Sequence, residues 1–232
     1  MITWPYWFGS PWYKHRHAPN RRHDGVMDRF YREALPLPNL PVRQVRFVAL
    51  DLETTGLDPA TDHILSIGLV DLDGLSVKLG SAWHEFVYTA RDIPEQSAVI
   101  HRITDDTAAT GHSIDELMPR LLDRLKGRVL VAHHAKLETG FLNKICQSLY
   151  GQQLHIPVID TEVLARRQLQ RRHQSIKTGS LRLFNLRQQY GLPDYSAHNA
   201  LSDAIATAEL FIAQYSDMCP SGNCRLKHFI TG

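Results

Sequence analysis

From position 45 onward the polar and apolar residues fall into short, well-bounded blocks. VRFVALDLE begins at Val45 as an apolar run that ends in acids, the pattern of a buried strand reaching the surface. ILSIGLVDLDG (64–74) predicts a second strand, and its Asp-Gly pair at 73–74 predicts a hairpin turn. LSVKLGSAWHEFVY (75–88) predicts the returning third strand. Helical spacing then appears at 94–101 and at 113–125, where Ser113 is followed three residues later by Glu116, a capping-box signature. RVLVAH (128–133) and PVID (157–160) predict two further strands. Helices are predicted after each, at 137–150 and to about residue 170, then at about 180–190 and 200–217. Strands first, then strands alternating with helices, predict an α/β fold with a mixed sheet flanked by helices.

Residues 1–44 break this pattern. They are rich in Trp, Tyr, Pro and Arg, with one helix-like patch, DGVMDRFYREAL, whose Val26, Phe30, Tyr31 and Leu35 share a face. PLPNLP (36–41) ends that patch. Three domains are expected: a basic, aromatic extension over 1–44, a core domain over 45–217 and a C-terminal tail over 218–232. The extension is expected to pack on the core or on a protein partner.

The 232 residues are 43% hydrophobic and 22% charged, ordinary for a soluble globular protein. The formal net charge of +2 decides little, but its distribution is uneven. The first 44 residues carry seven Lys/Arg against three acids. Three cysteines cannot make a disulfide framework, so a reducing cytoplasm is expected; Cys219 and Cys224, close together in CPSGNC, have too few neighbouring ligands for zinc and are expected to have no special role, redox chemistry being the alternative. No stretch has the apolar length of a membrane span.

Chemistry enters with FVALDLETTGLD. Asp51 and Glu53 lie two apart on a strand, so both point to one face. Two such carboxylates repel unless a cation joins them, and a hard divalent ion is the natural partner for oxygen ligands. The Thr54–Leu57 run that follows is expected to turn tightly and to offer backbone N–H groups to a phosphate or sugar. In VAHHAKLETGFLNK, Glu138 falls in the first turn of a helix that follows a buried strand. In YSAHNALSDAIATAEL, His198 precedes a helix and Asp203 lies near its start. Each of the last two has an ordinary explanation, in helix-dipole or capping roles.

Together, in this order, these pieces resemble the three exonuclease motifs of the DEDDh 3′–5′ exonuclease superfamily, most of all the proofreading epsilon subunit of bacterial DNA polymerase III and its stand-alone relatives. IHRIT (100–104) and IDTEVLAR (159–166) add context, and the resemblance spans about 45–217. It implies a ribonuclease-H-like fold with a mixed five-stranded sheet. It implies two Mg²⁺ or Mn²⁺ ions on Asp51, Glu53, Glu138 and Asp203, with His198 as the base. Thr54, Leu57 and His101 are expected to meet the substrate, Thr54 at the terminal 3′ nucleotide and Leu57 as a wedge against its base. The second motif departs from the family pattern, which has Asp where this chain has Glu138.

The implied activity is hydrolysis of single-stranded or frayed DNA 3′ ends to 5′-nucleoside monophosphates. The alternatives are an exoribonuclease of the same superfamily and a catalytically weak nucleic-acid-binding subunit. The stretch 166–182 holds six Lys/Arg and no acid, and Arg171 and Arg172 are assigned there to phosphate contacts.

Overall fold

The computed structural model describes residues 25–195 and 198–232. The partner contact expected of the aromatic run at 1–24 therefore lies outside the described residues. Five strands form one sheet: β1 (Arg46–Thr54), β2 (Ile64–Asp73), β3 (Ser76–Phe86), β4 (Val129–Ala132) and β5 (Val158–Asp160). Their order is β3-β2-β1-β4-β5. The first three pair antiparallel, and β4 and β5 continue parallel to β1. The Asp-Gly turn forms where the pattern puts it, with Gly74 at φ +57° and Asp73 paired with Ser76.

The helices are α1 (Val26–Arg32), α2 (Glu95–His101), α3 (Asp105–Ala109), α4 (Ile114–Leu125), α5 (Lys136–Tyr150), α6 (Thr161–Arg171), α7 (Leu183–Gln189) and α8 (Ala200–Met218). Ser113 caps α4 in a full capping box with Glu116. The short α3 was not legible from apolar spacing, because five residues are too few to show a period; the Thr104 side chain caps it.

Strand alternation sorts β1 between two layers. Val48, Leu50 and Leu52 face one layer, where they meet Leu117 and Leu121 of α4, Phe141 and Leu142 of α5, and Met27 and Phe30 of α1. Phe47 and Ala49 face the other, against Phe211 and Tyr215 of α8. Asp51 and Glu53 continue this second row, so the strand delivers both acids to the α8 layer.

Two expectations are corrected here. The segment 218–232 is not a tail: Leu226 and Phe229 are buried beside Phe211 and Tyr215. The Thr231 N–H also donates to the Val158 carbonyl at 2.8 Å, extending the β5 edge. Cys219 and Cys224 are joined by a disulfide, so the pair has a structural role where none was expected. Cys219 ends α8, and the chain turns back through Gly222 at φ +68°, with the Gly222 N–H on the Cys219 carbonyl. That turn brings the two Cα atoms to 5.9 Å. Among the described residues no helix is long and apolar enough to cross a membrane.

Candidate active site

Asp51, Glu53 and Asp203 converge, with one carboxylate oxygen of each lying within 4.8 Å of the others. The approach depends on a glycine. Asp51 pairs across the sheet with Gly68, so both face α8. A Cβ on Gly68 would overlap the Ala200 carbonyl and the Leu201 amide. Only a residue without a side chain lets the first turn of α8 settle on the strand, and that turn carries Asp203. Asn199 caps the helix through the Ser202 N–H. The His198 N–H donates to Asp203 Oδ2 at 3.2 Å, with His198 in the left-handed region at φ +68°.

Glu138 arrives from the opposite layer. It sits in the first turn of α5, only 2% exposed, and its charge acts on Asp51. Asp160 at the end of β5 holds this turn. Its Oδ2 accepts from the Ala135 N–H at 2.9 Å and its Oδ1 from the His134 N–H at 3.2 Å. The same Oδ1 also caps α6 through Glu162 and Val163. One carboxylate thus ties the entry of α5 to the entry of α6. In IDTEVLAR the signal for this role is Asp160 itself, an acid between a strand and a helix being an N-cap signal.

The electrostatics describe a site short of positive charge. Asp51 is held well above the usual carboxylate range, first by burial and then by Glu138, Glu53 and Asp203. Burial pushes Glu138 up to about 8, with Asp160 adding to it. Burial also raises Asp203 to about 7, Glu53 adding to the rise while the His198 N–H opposes it. Glu53 Oε1, Glu138 Oε2 and Asp203 Oδ1 are buried without a hydrogen-bond partner. Buried carboxylate oxygens are costly unless something satisfies them. An all-oxygen donor set with these orphaned atoms fits a hard divalent cation.

Around the cluster, His101 Nδ1 contacts Glu53 Oε2, so His101 holds one of the acids. Its ring lies 6.1 Å from that of His198. Leu57 is 80% exposed on the loop after β1. Thr54 is buried, and its hydroxyl donates to the Gly56 carbonyl at 2.7 Å. The Thr55 N–H, expected to be open to a phosphate, is instead taken by the His63 carbonyl at 2.9 Å. This bond continues the β1–β2 pairing past the register shift at Glu53/Thr54.

A cleft of about 860 Å³ opens from Asp51, Asp203 and His198 toward the segment 176–185. Arg171 and Arg172 are not brought to it. Arg172 pairs with Asp217 at 3.0 Å on the far end of α6, and Arg171 is exposed there. The basic residues that line the cleft are Arg166, Lys177 and Arg182. Helix geometry separates Arg166 from Arg171 by more than a turn, which composition alone does not register.

Fold and acid cluster together define a hydrolytic nuclease of the DEDDh type on a ribonuclease-H-like sheet. A family model described as exonuclease (RNase_T) matches residues 48–211, and the chain belongs to that exonuclease family. The DNA polymerase III subunit epsilon of Treponema pallidum is 35% identical over 169 residues, covering 72% of this chain and 75% of its own length. The PolC-type DNA polymerase III of Thermotoga maritima is 34% identical over 166 residues, and there this chain spans only 12% of the relative's length. Among solved structures, exonuclease X in complex with 5′ overhanging duplex DNA superposes with a TM-score of 0.59 at 25% identity. That match covers 80% of this chain and 97% of the other.

Proposed function

We propose that the protein removes nucleotides one at a time from the 3′ end of single-stranded or frayed DNA, releasing 5′-nucleoside monophosphates. The observation that carries this reading is the meeting of Asp51, Glu53 and Asp203, with buried Glu138 acting on Asp51 from the opposite layer, orphaned oxygens on Glu53, Glu138 and Asp203, and His198 at the mouth of an open cleft. Asp51, Glu53, Glu138 and Asp203 would hold two Mg²⁺ or Mn²⁺ ions. Such ions, when bound, activate water and stabilise charge on the phosphoryl oxygens.

The side chains do the rest. His198 takes the proton from the attacking water. Asp203 fixes the backbone of the loop that carries this imidazole. His101 keeps Glu53 in place. Leu57, exposed on the loop after β1, offers an apolar surface to the terminal base, and Thr54 braces that turn. The epsilon subunit of Treponema pallidum supports DNA as the polymer.

The test is incubation of 5′-labelled single-stranded DNA and RNA with Mg²⁺, Mn²⁺ or EDTA. DNA is expected to shorten from its 3′ end in single-nucleotide steps with either metal, and not in EDTA. Asp51→Ala should leave no detectable shortening. Metal-dependent shortening of RNA alone would reassign the substrate. No shortening of either polymer would refute the enzyme assignment.

A further inference from the structure

The wall of the cleft facing the carboxylates has no role in the chemistry above. It is built by the segment between α6 and α7 and by the start of α7. This segment is tied down: Gly179 turns at φ +78°, its carbonyl accepts from Asn185 Nδ2 at 2.9 Å, and the Arg182 N–H donates to it at 3.0 Å. The Ser180 hydroxyl closes the turn on the Lys177 carbonyl at 2.8 Å. Lys177 and Arg182 are thereby presented on an ordered turn, both exposed. No acid among the described residues pairs with either side chain. Arg166, on the same wall, is already matched by Glu162 at 2.6 Å. Ile176, 38% exposed, and Phe184 add apolar surface to the same cleft.

Two cations with no acidic partner among the described residues, lining a cleft with apolar side chains and an acid cluster, suit a group that is anionic and flat in alternation. A nucleic-acid strand is such a ligand: phosphates take point charges and bases take apolar faces. At about 860 Å³ the cleft is at the upper end of small-ligand pockets, with space beyond one reacting nucleotide.

We propose that Lys177 and Arg182 form a phosphate subsite for the phosphodiester just upstream of the scissile one, with Ile176 and Phe184 receiving the adjoining base. The inference rests on the exonuclease reading for its direction along the strand. The subsite makes the protein select a strand over an isolated nucleotide ester. It also explains how a chain of nearly neutral net charge holds a polyanion.

The test compares wild type with Lys177→Ala, Arg182→Ala and the double variant in two assays. The first is hydrolysis, with a short single-stranded DNA and the p-nitrophenyl ester of thymidine 5′-monophosphate as rival substrates. The second is fluorescence anisotropy of a labelled strand in EDTA across a salt series. Each single variant should lower selectivity for the strand over the ester on the order of tenfold, mainly through KM. The double variant should flatten the slope of log K against log salt by about 0.7, the contribution of the one single-strand phosphate the subsite holds. An unchanged selectivity and slope, or equal losses on both substrates, would overturn the subsite. Should wild type hydrolyse neither substrate while the salt slope still falls in the variants, the enzyme reading fails and the subsite stands.

Discussion

The four acids reach the site by two different routes. Asp51, Glu53 and Asp203 belong to one layer: the first two extend the strand row that begins with Phe47 and Ala49, and the third rides on the helix packed against that row. Glu138 comes from α5, which packs on the opposite layer beside Leu50 and Leu52, and enters around the ends of β4 and β5. The first route is fixed by packing of the core itself. The second hangs on one carboxylate, Asp160, which binds the N–H groups of His134 and Ala135. A site assembled this way has a stiff half and a half whose geometry is set by a hydrogen-bonded turn.

The stiff half breaks hardest at Gly68. Gly68→Ala places a methyl group where the backbone of Ala200 and Leu201 runs, and neither can yield as a flexible side chain would. Activity should fall on the order of 10²-fold or more, since ångström misplacement of catalytic groups costs that much. Stability should drop by about 1–3 kcal/mol from overpacking. Single-turnover rates and urea unfolding check this. An unaffected rate would show that the approach of α8 does not position Asp203.

The hinged half breaks at Asp160. Asp160→Ala strips the cap from α6 and leaves the entry to α5 unsatisfied, a cost of about 2 kcal/mol. Turnover should fall while binding of a labelled strand in EDTA is largely kept. Equal losses in both would assign Asp160 to general stability alone.

A gentler probe is Glu138→Asp. It shortens the fourth acid by one methylene to the length the family pattern carries, and activity is expected to be retained or raised. Abolished turnover would show that Glu138 is not the fourth acid.

The two routes also explain what could be seen in the sequence. The D-x-E pair was legible because strand alternation needs only two residues to place both acids on one face. The order β1 to β5 and the cap at Ser113 were legible for the same local reason. Gly68 was not singled out, because a glycine in an apolar strand announces close approach without saying of what. Asp160 was passed over because its partners at 134 and 135 lie 25 or more residues away. The Arg171 and Arg172 assignment failed on direction: a basic run has a composition but not a face, and of its six Lys/Arg it is Arg166, Lys177 and Arg182 that line the cleft. The disulfide depended on a turn at Gly222 that brings the chain back on itself.

The central claim, that the two routes meet to make one divalent-metal site, is tested most directly by calorimetric titration of Mn²⁺. Titrations in buffers of different ionisation enthalpy count the protons released. In the apo protein burial holds Glu138 up to about 8 and Asp203 to about 7, so both carry protons through much of the neutral range. A cation must displace those protons. Affinity should therefore rise as pH is raised toward 8, with protons released at pH 7 and fewer at pH 9. Asp51→Asn and Glu138→Gln should each weaken binding, the latter with fewer protons released. Binding that ignores pH, releases no protons and survives both substitutions would contradict a shared metal site.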